Sequence, residues 1–238
     1  MIQFIPECVS TNDELAARLR SGERVSEGDW LIADRQTGGK GRQGRAWADA
    51  NGNFMGSTVV RLGAGYPPPA SLALVAGLAV YEAVLPHVVA QSGLRLKWPN
   101  DLVLAGAKLA GILLERVQDS VIVGIGVNLA IAPPVEGRAV TALAEHGPAP
   151  ERDFFAEQLA FHLARELERW RGFGLEPLVA RWQAAGHPAG TPLSVHGPDG
   201  EALSGTFAGL TPEGALRLRL ADGAERVIHA GDVSLIGG

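Results

Sequence analysis

The chain has 238 residues, 46% of them hydrophobic, enough for one large packed domain or a medium one plus a small one, so disorder is not the default. A formal net charge of −5 argues against a general nucleic-acid or anionic-membrane binder, whose non-specific affinity comes from a basic surface. One cysteine, Cys8, excludes an intramolecular disulfide and a cysteine metal cluster, and six scattered histidines offer no zinc spacing.

Met1 to Cys8 contains Glu7 and has no basic start followed by an apolar run, so no signal peptide is expected. Ser10-Thr11-Asn12-Asp13-Glu14 predicts a helix over roughly 12–21, with Thr11 and Glu14 spaced as a capping box and Gly22 as its stop. Trp30 to Ala33 reads as a buried strand and Phe54 to Leu62 as the next. Between them, Arg35 to Arg45 holds four glycines, four cations and no acid. Glycine lets backbone N–H groups approach a ligand, and Arg and Lys neutralise phosphate or carboxylate. From these residues alone an anion cradle and a mobile solvated loop are equally good readings.

Residues 70–92 predict a buried helix with Pro86 as a kink or break; its most apolar part, Leu72 to Tyr81, is short against the roughly 20 residues a bilayer needs. A cytoplasmic protein with no membrane partner is therefore expected. From Leu94, short β-type runs at 94–98, 101–105, 109–117 and 121–129 predict a meander of hairpins. Phe155, Leu159, Leu163 and Leu167 recur at helical spacing, and a further helix spans Leu175 to Ala185 after Gly172 and Gly174. His187 to Pro192 is a break. Beyond it, alternating runs with turns at Pro198-Asp199-Gly200, Pro212-Glu213-Gly214 and Asp222-Gly223 predict a small β-barrel. The boundary is placed between 188 and 189.

Gly39-x-Gly41-x-x-Gly44 formally matches the dinucleotide fingerprint, but turn-like residues follow it instead of a helix, and 57–66 supply no ribose-binding acid. Lys97-Trp98-Pro99-Asn100-Asp101 places a cation and a carboxylate at one turn, where Lys97 can hold a carboxylate or phosphate and Asp101 a Mg²⁺ ion or an amine. It also reads as an ordinary hairpin turn with Trp98 in the core. Lys108 opens the apolar strand that ends at Glu115; an edge lysine of this kind commonly guards against aggregation. Gly124-Ile125-Gly126-Val127-Asn128 puts two glycines in a strand, a sign of close backbone approach to a ligand.

In this order Ser-Thr-Asn, the Gly/Arg loop closing at Trp47, Lys-Trp-Pro-Asn-Asp, Lys-Leu-x-Gly-Ile-Leu-x-Glu and Gly-x-Gly-x-Asn closely resemble the biotin–protein ligases, from Ser10 to Leu129. The resemblance implies an α+β fold: a mixed sheet with helices, similar to class II aminoacyl-tRNA synthetases, then a small SH3-like barrel. It implies activation of biotin by ATP and Mg²⁺ to biotinyl-5′-AMP, then transfer to a lysine of the biotin carboxyl carrier protein domain of an acyl-CoA carboxylase. Carried onto this chain, Ser10, Thr11, Asn12 and Gln36 would hold the biotin head. Gly39, Lys40 and Arg42 would close over the valeryl chain and phosphate. Lys97 would lie at the acyl phosphate, and Arg42, Arg45, Trp47, Asn100, Lys108 and Asn128 on the nucleotide side. Lys97, Arg42 and Asp101 form the catalytic set, with Asp101 orienting or deprotonating the acceptor lysine. No side-chain metal cage is expected, only Mg²⁺ near Asp101.

Two departures stand out. Lys40 replaces the usual first arginine of the loop, losing its bidentate geometry, and no aromatic residue near Val140 to Leu143 is available to cover adenine. A lipoate–protein ligase shares the expected fold and chemistry, but the Gly/Arg loop with Lys-Trp-Pro-Asn-Asp favours biotin. Many relatives carry an N-terminal winged-helix DNA-binding domain; with the first motif at Ser10 there is no room for one, so no DNA partner is expected. The expected state is a monomer or weak homodimer.

Overall fold

The computed structural model describes residues 1–88, 93–197 and 202–236. The turn expected at Pro198-Asp199-Gly200 and the end of the helix expected over 70–92 lie outside the described residues. Seven strands form one sheet: β1 (Ile2–Cys8), β2 (Trp30–Gln36), β3 (Phe54–Arg61), β4 (Leu94–Lys97), β5 (Asp101–Leu104), β6 (Ala107–Val117) and β7 (Ser120–Val127), in the order β1-β2-β3-β7-β6-β5-β4. β1 and β2 are parallel and every other pair is antiparallel, so the sheet is mixed. β4 to β7 form the expected meander. β1 was not anticipated: it is an edge strand with most of its side chains exposed and Pro6 within it, so it lacks the apolar run that marks an inner strand.

Because successive strand residues face opposite sides, the sheet separates its neighbours into two layers. Trp30, Ile32, Val60, Val121, Val123 and Ile125 point to α2 (Leu72–Val84), α3 (Arg152–Phe173) and α4 (Leu175–Ala185) and form the main core. Leu31, Val59 and Ile122 face the other way and meet Leu15, Ala16 and Leu19 of α1 (Thr11–Arg20) in a smaller cluster. α2 has almost no polar face, as a helix wrapped by protein requires. The helical stretch Pro69–His87 is, by length and composition, apolar enough to cross a membrane, which Leu72 to Tyr81 alone did not suggest; 61% of that window is buried inside the fold. Pro86 sits in a 3₁₀ turn that ends the helix.

The N-cap of α1 is Ser10, whose hydroxyl accepts from the Asp13 N–H at 3.5 Å. The expected box on Thr11 does not form, because the Thr11 hydroxyl is turned toward β2 and β3. Gly174, at φ 74°, separates α3 from α4, while Gly172 lies within α3.

The C-terminal residues form a five-stranded sheet of β8 (Pro192–His196), β9 (Ala202–Leu210), β10 (Leu216–Arg219), β11 (Glu225–Ile228) and β12 (Asp232–Leu235), in the order β11-β10-β9-β8-β12 and antiparallel throughout. Its inner face, with Leu193, Val195, Phe207, Leu216 and Val233, continues the main core against Trp98 and Trp182.

Candidate active site

Along the α1 face of the sheet the strand residues change character in steps. Under α1 they are apolar: Val59, Ile122 and Val117. Two residues further along each strand they are Ser57, Gly124 and Glu115, and beyond these come Gly126, Leu113 and Gly111. Here the surface opens into a cavity of about 550 Å³, roofed by the glycine-rich loop and lined at its far end by Lys97, Asp101 and Lys108.

The first half of the cavity is a connected polar network. The Thr11 N–H donates to Gln36 Oε1 at 2.7 Å, with the Thr11 hydroxyl 3.1 Å from the same oxygen and 2.6 Å from Ser57 Oγ. Ser57 Oγ donates to Asn12 Oδ1 at 2.6 Å, and Asn12 Nδ2 donates to Glu115 Oε2 at 2.6 Å. Ser10, Thr11, Asn12 and Ser57 are buried, and Gln36 nearly so. A Cβ at Gly124 would overlap Asn12 Oδ1, so glycine there makes room for the asparagine side chain.

The loop itself is a short hairpin. Gly41 N–H donates to Arg45 O at 2.7 Å, Trp47 N–H to Gly39 O at 2.9 Å, and Gln43 and Gly44 take left-handed φ values of 57° and 73° at its tip. Trp47 lies flat against the sheet where Gly111 and Gly126 leave space; a Cβ at Gly126 would overlap its indole ring. The two strand glycines thus admit protein side chains, not ligand backbone alone. Lys40 Nζ pairs with Asp13 at 2.8 Å on the exposed side, which raises its pKa and ties the loop to α1. Gly39 packs against Trp47 O and the Gln36 amide.

In the other half cations dominate. Arg42 donates to Asn100 Oδ1 at 3.1 Å and to Gly231 O at 3.4 Å; Arg45 pairs with Asp232 at 2.7 Å. Asn100 Nδ2 donates to Ile112 O at 2.7 Å, fixing the turn after the cis Trp98-Pro99 peptide. Lys108 Nζ is 2.5 Å from Asp101 Oδ1, with Arg138 3.9 Å from the other oxygen and the Trp47 ring 5.7 Å from Lys108 Nζ. Burial pushes both Lys97 and Lys108 below their ordinary value, and Asp101 opposes the shift in each. Among the described residues Lys97 alone of the cavity's cations has no hydrogen-bond or ion-pair partner. Asn128 is buried; it donates to Thr141 O at 3.1 Å and holds the loop that carries Val135, Arg138 and Val140 along the cavity.

Of the residues singled out from the sequence, Ser10, Thr11, Asn12, Gln36, Lys40, Arg42, Arg45, Trp47, Lys97, Asn100, Asp101, Lys108 and Asn128 line the cavity and Gly39 does not, and they are not all in the same posture. Thr11, Gln36 and Lys97 present groups to its interior, whereas Asn12, Lys40, Asn100 and Asn128 have their polar atoms engaged by the protein. Ser57, Arg138 and Asp232 line it and had not been picked out individually; Glu115 lies behind it, bonded to Asn12. No cluster of three or more His, Cys, Asp or Glu side chains occurs among the described residues. Asp101 and Asp232 are already paired with cations, so the chain does not fit a resident metal; Mg²⁺ would enter on phosphate oxygens.

A cavity with a polar head pocket at one end and cations at the other, Lys97 without a partner among the described residues, suits a ligase that activates a carboxylic acid with a nucleotide. A family model described as the biotin/lipoate A/B protein ligase family matches residues 6–131, and one described as the biotin protein ligase C-terminal domain matches 194–236. The chain belongs to the biotin/lipoate A/B protein ligase family. It is 36% identical to the biotin–[acetyl-CoA-carboxylase] ligase of Mycobacterium tuberculosis, over 98% of this chain and 88% of that one. It is 38% identical to the enzyme of the same name from Paracoccus denitrificans, over 94% and 96%. A structure of the Aquifex aeolicus biotin protein ligase in complex with biotin and ATP superposes with a TM-score of 0.84 at 27% identity, covering 98% of this chain and 97% of that one.

Proposed function

We infer that the chain is a biotin–protein ligase: with MgATP it converts biotin to biotinyl-5′-AMP, then passes the biotinyl group to one lysine of a biotin carboxyl carrier protein. The observation that carries this reading is the joining, in one cavity, of the Thr11–Gln36 hydrogen-bonding pair to a half-buried Lys97 that has no partner among the described residues.

In this reading Gln36 Nε2 and the Thr11 oxygen meet the ureido head, which offers a carbonyl acceptor beside N–H donors. Trp47, expected from the sequence on the nucleotide side, packs over Gly111 and Gly126 and in this reading forms an apolar wall along the valeryl chain instead. Lys97 then lies where the acid's carboxylate meets the α-phosphate. Attack there brings two anions together, and a preorganised ammonium stabilises the charge that builds on the phosphate. Lys108, Arg42 and Arg45 add positive potential on the nucleotide side, and the loop hairpin shields the mixed anhydride from water. The acceptor lysine must lose a proton before attacking. Asp101 is placed to orient it once ATP phosphates draw Lys108 away. The carrier is expected to be that of an acyl-CoA carboxylase, in the cytoplasm.

Biotin-dependent ATP–pyrophosphate exchange, with lipoate as the comparison, is the test. Exchange with biotin and none with lipoate is expected. Exchange with lipoate alone would replace biotin as the substrate.

A further inference from the structure

Glu115 is a carboxylate on β6, with Leu113 and Val117 beside it on the same face, at a position the apolar sheet face would fill more cheaply with another aliphatic side chain. Its only hydrogen bond among the described residues is to Asn12 Nδ2. A carboxylate accepts and never donates when ionised, so the Asn12 nitrogen must face it and the Asn12 oxygen must face Ser57. That oxygen takes the single Ser57 proton at 2.6 Å. Ser57 Oγ then has only lone pairs for the 2.6 Å contact with Thr11, and the single Thr11 proton lies between Ser57 Oγ and Gln36 Oε1, 3.1 Å away, so the Thr11 hydroxyl is a donor within the protein. At the end of the chain the Thr11 oxygen keeps a lone pair free. The Thr11 N–H holds Gln36 by Oε1, which leaves Gln36 Nε2 as the donor, without a partner among the described residues.

We propose that Glu115 is a positioning residue: through Asn12 and Ser57 it fixes the hydroxyl chain that holds Thr11, so that the Thr11 oxygen presents an acceptor beside the Gln36 donor that the Thr11 N–H orients. That arrangement complements a urea or cyclic amide, with N–H and C=O side by side. Gly124 is part of the device, since any side chain there would displace the Asn12 amide that relays the order. The proposal rests on the biotin-ligase reading for the identity of the ligand. It adds the source of the pocket's polarity, about three hydrogen bonds away from that ligand.

The test is biotin binding without ATP, measured by calorimetry on the full chain and on Glu115→Ala, Glu115→Gln, Ser57→Ala and the Ser57→Ala/Glu115→Ala pair. Glu115→Ala is expected to raise the biotin Kd about tenfold, and Glu115→Gln, whose amide fixes no direction, about threefold. The KM for ATP and kcat at saturating biotin should stay near the parent's. The double variant should bind no worse than Ser57→Ala alone, because both substitutions cut one chain. An unchanged Kd in Glu115→Gln, multiplying losses in the double variant, or parallel shifts in ATP KM and kcat would each overturn the proposal. A parent protein that binds no biotin would instead count against the function itself.

Discussion

At Lys97 the physical chemistry of one side chain sets two opposite pH effects. Burial is the largest influence on its pKa and lowers it from 10.5, with Asp101 only partly compensating. Below the lowered value the ammonium is charged in both folded and unfolded chain, and its lost hydration weighs against folding. Between that value and 10.5 the folded state sheds the proton while the unfolded chain still binds it, so this lysine's contribution to stability improves as pH rises. On the proposed role of Lys97 at the acyl–phosphate centre, activity runs the other way, since that charge disappears over the same range. The rate of biotin-dependent pyrophosphate exchange should therefore fall along an alkaline limb centred below pH 10.5; a rate that holds through that pH would show that Lys97 is not needed in its charged form. Lys97→Ala removes the charge at every pH. It should cost about 10²–10³ in exchange rate, the usual loss when one preorganised stabiliser of transition-state charge is deleted, while biotin binding without ATP changes far less.

At the scale of strands and loops, the two glycines of β7 show how far a motif can be read without its partners. Their spacing pointed to close approach of a ligand to the backbone, and in the structure the side chains of Asn12 and Trp47 take up that space. What fills it could not be read, because Asn12 and Trp47 lie more than seventy residues away in sequence. The same limit explains the other omissions. Ser57 and Glu115 are polar residues in largely apolar strands and look like ordinary strand alternation until α1 is laid over them. Asp232 acquires meaning only when the C-terminal sheet meets the loop. The local motifs at 36–47, 97–101 and 108–115 were legible because each is one turn or one strand, and the meander after Leu94 because antiparallel hairpins are consecutive. Gly126→Ala tests the packing directly. Its Cβ would overlap the Trp47 ring, which sits on a surface hairpin and can swing outward, so the fold should survive with a loss within the usual overpacking range of about 1–3 kcal/mol. The tryptophan emission should shift to the red relative to the parent, and the shift should vanish in a Trp47→Phe background. An unshifted spectrum would place the ring elsewhere.

For the molecule as a whole, the two sheets are not independent, whatever the division at residue 188 suggests from sequence. Trp98, 6% exposed, extends from the Lys97–Asp101 turn into the C-terminal sheet and donates from Nε1 to Gly214 O at 3.1 Å. Leu193, Val195, Phe207 and Leu216 close over it and Trp182 as part of the same core. Arg42 and Arg45 reach from the loop to Gly231 O and Asp232 at the start of β12. The Lys97–Asp101 turn is thus clamped from behind by hydrophobic packing, and the loop that roofs the cavity is tied from the side by ion pairs. Burial of a tryptophan dominates such a balance, because exposed ion pairs contribute at most about 1 kcal/mol. Trp98→Ala should accordingly destabilise the chain by about 3–5 kcal/mol, read as a lowered midpoint in denaturant with the two sheets still unfolding together. Asp232→Ala should barely move that midpoint, yet raise the KM for ATP by loosening Arg42 and Arg45. Two separated unfolding transitions in the parent protein would show instead that the shared core does not couple the sheets.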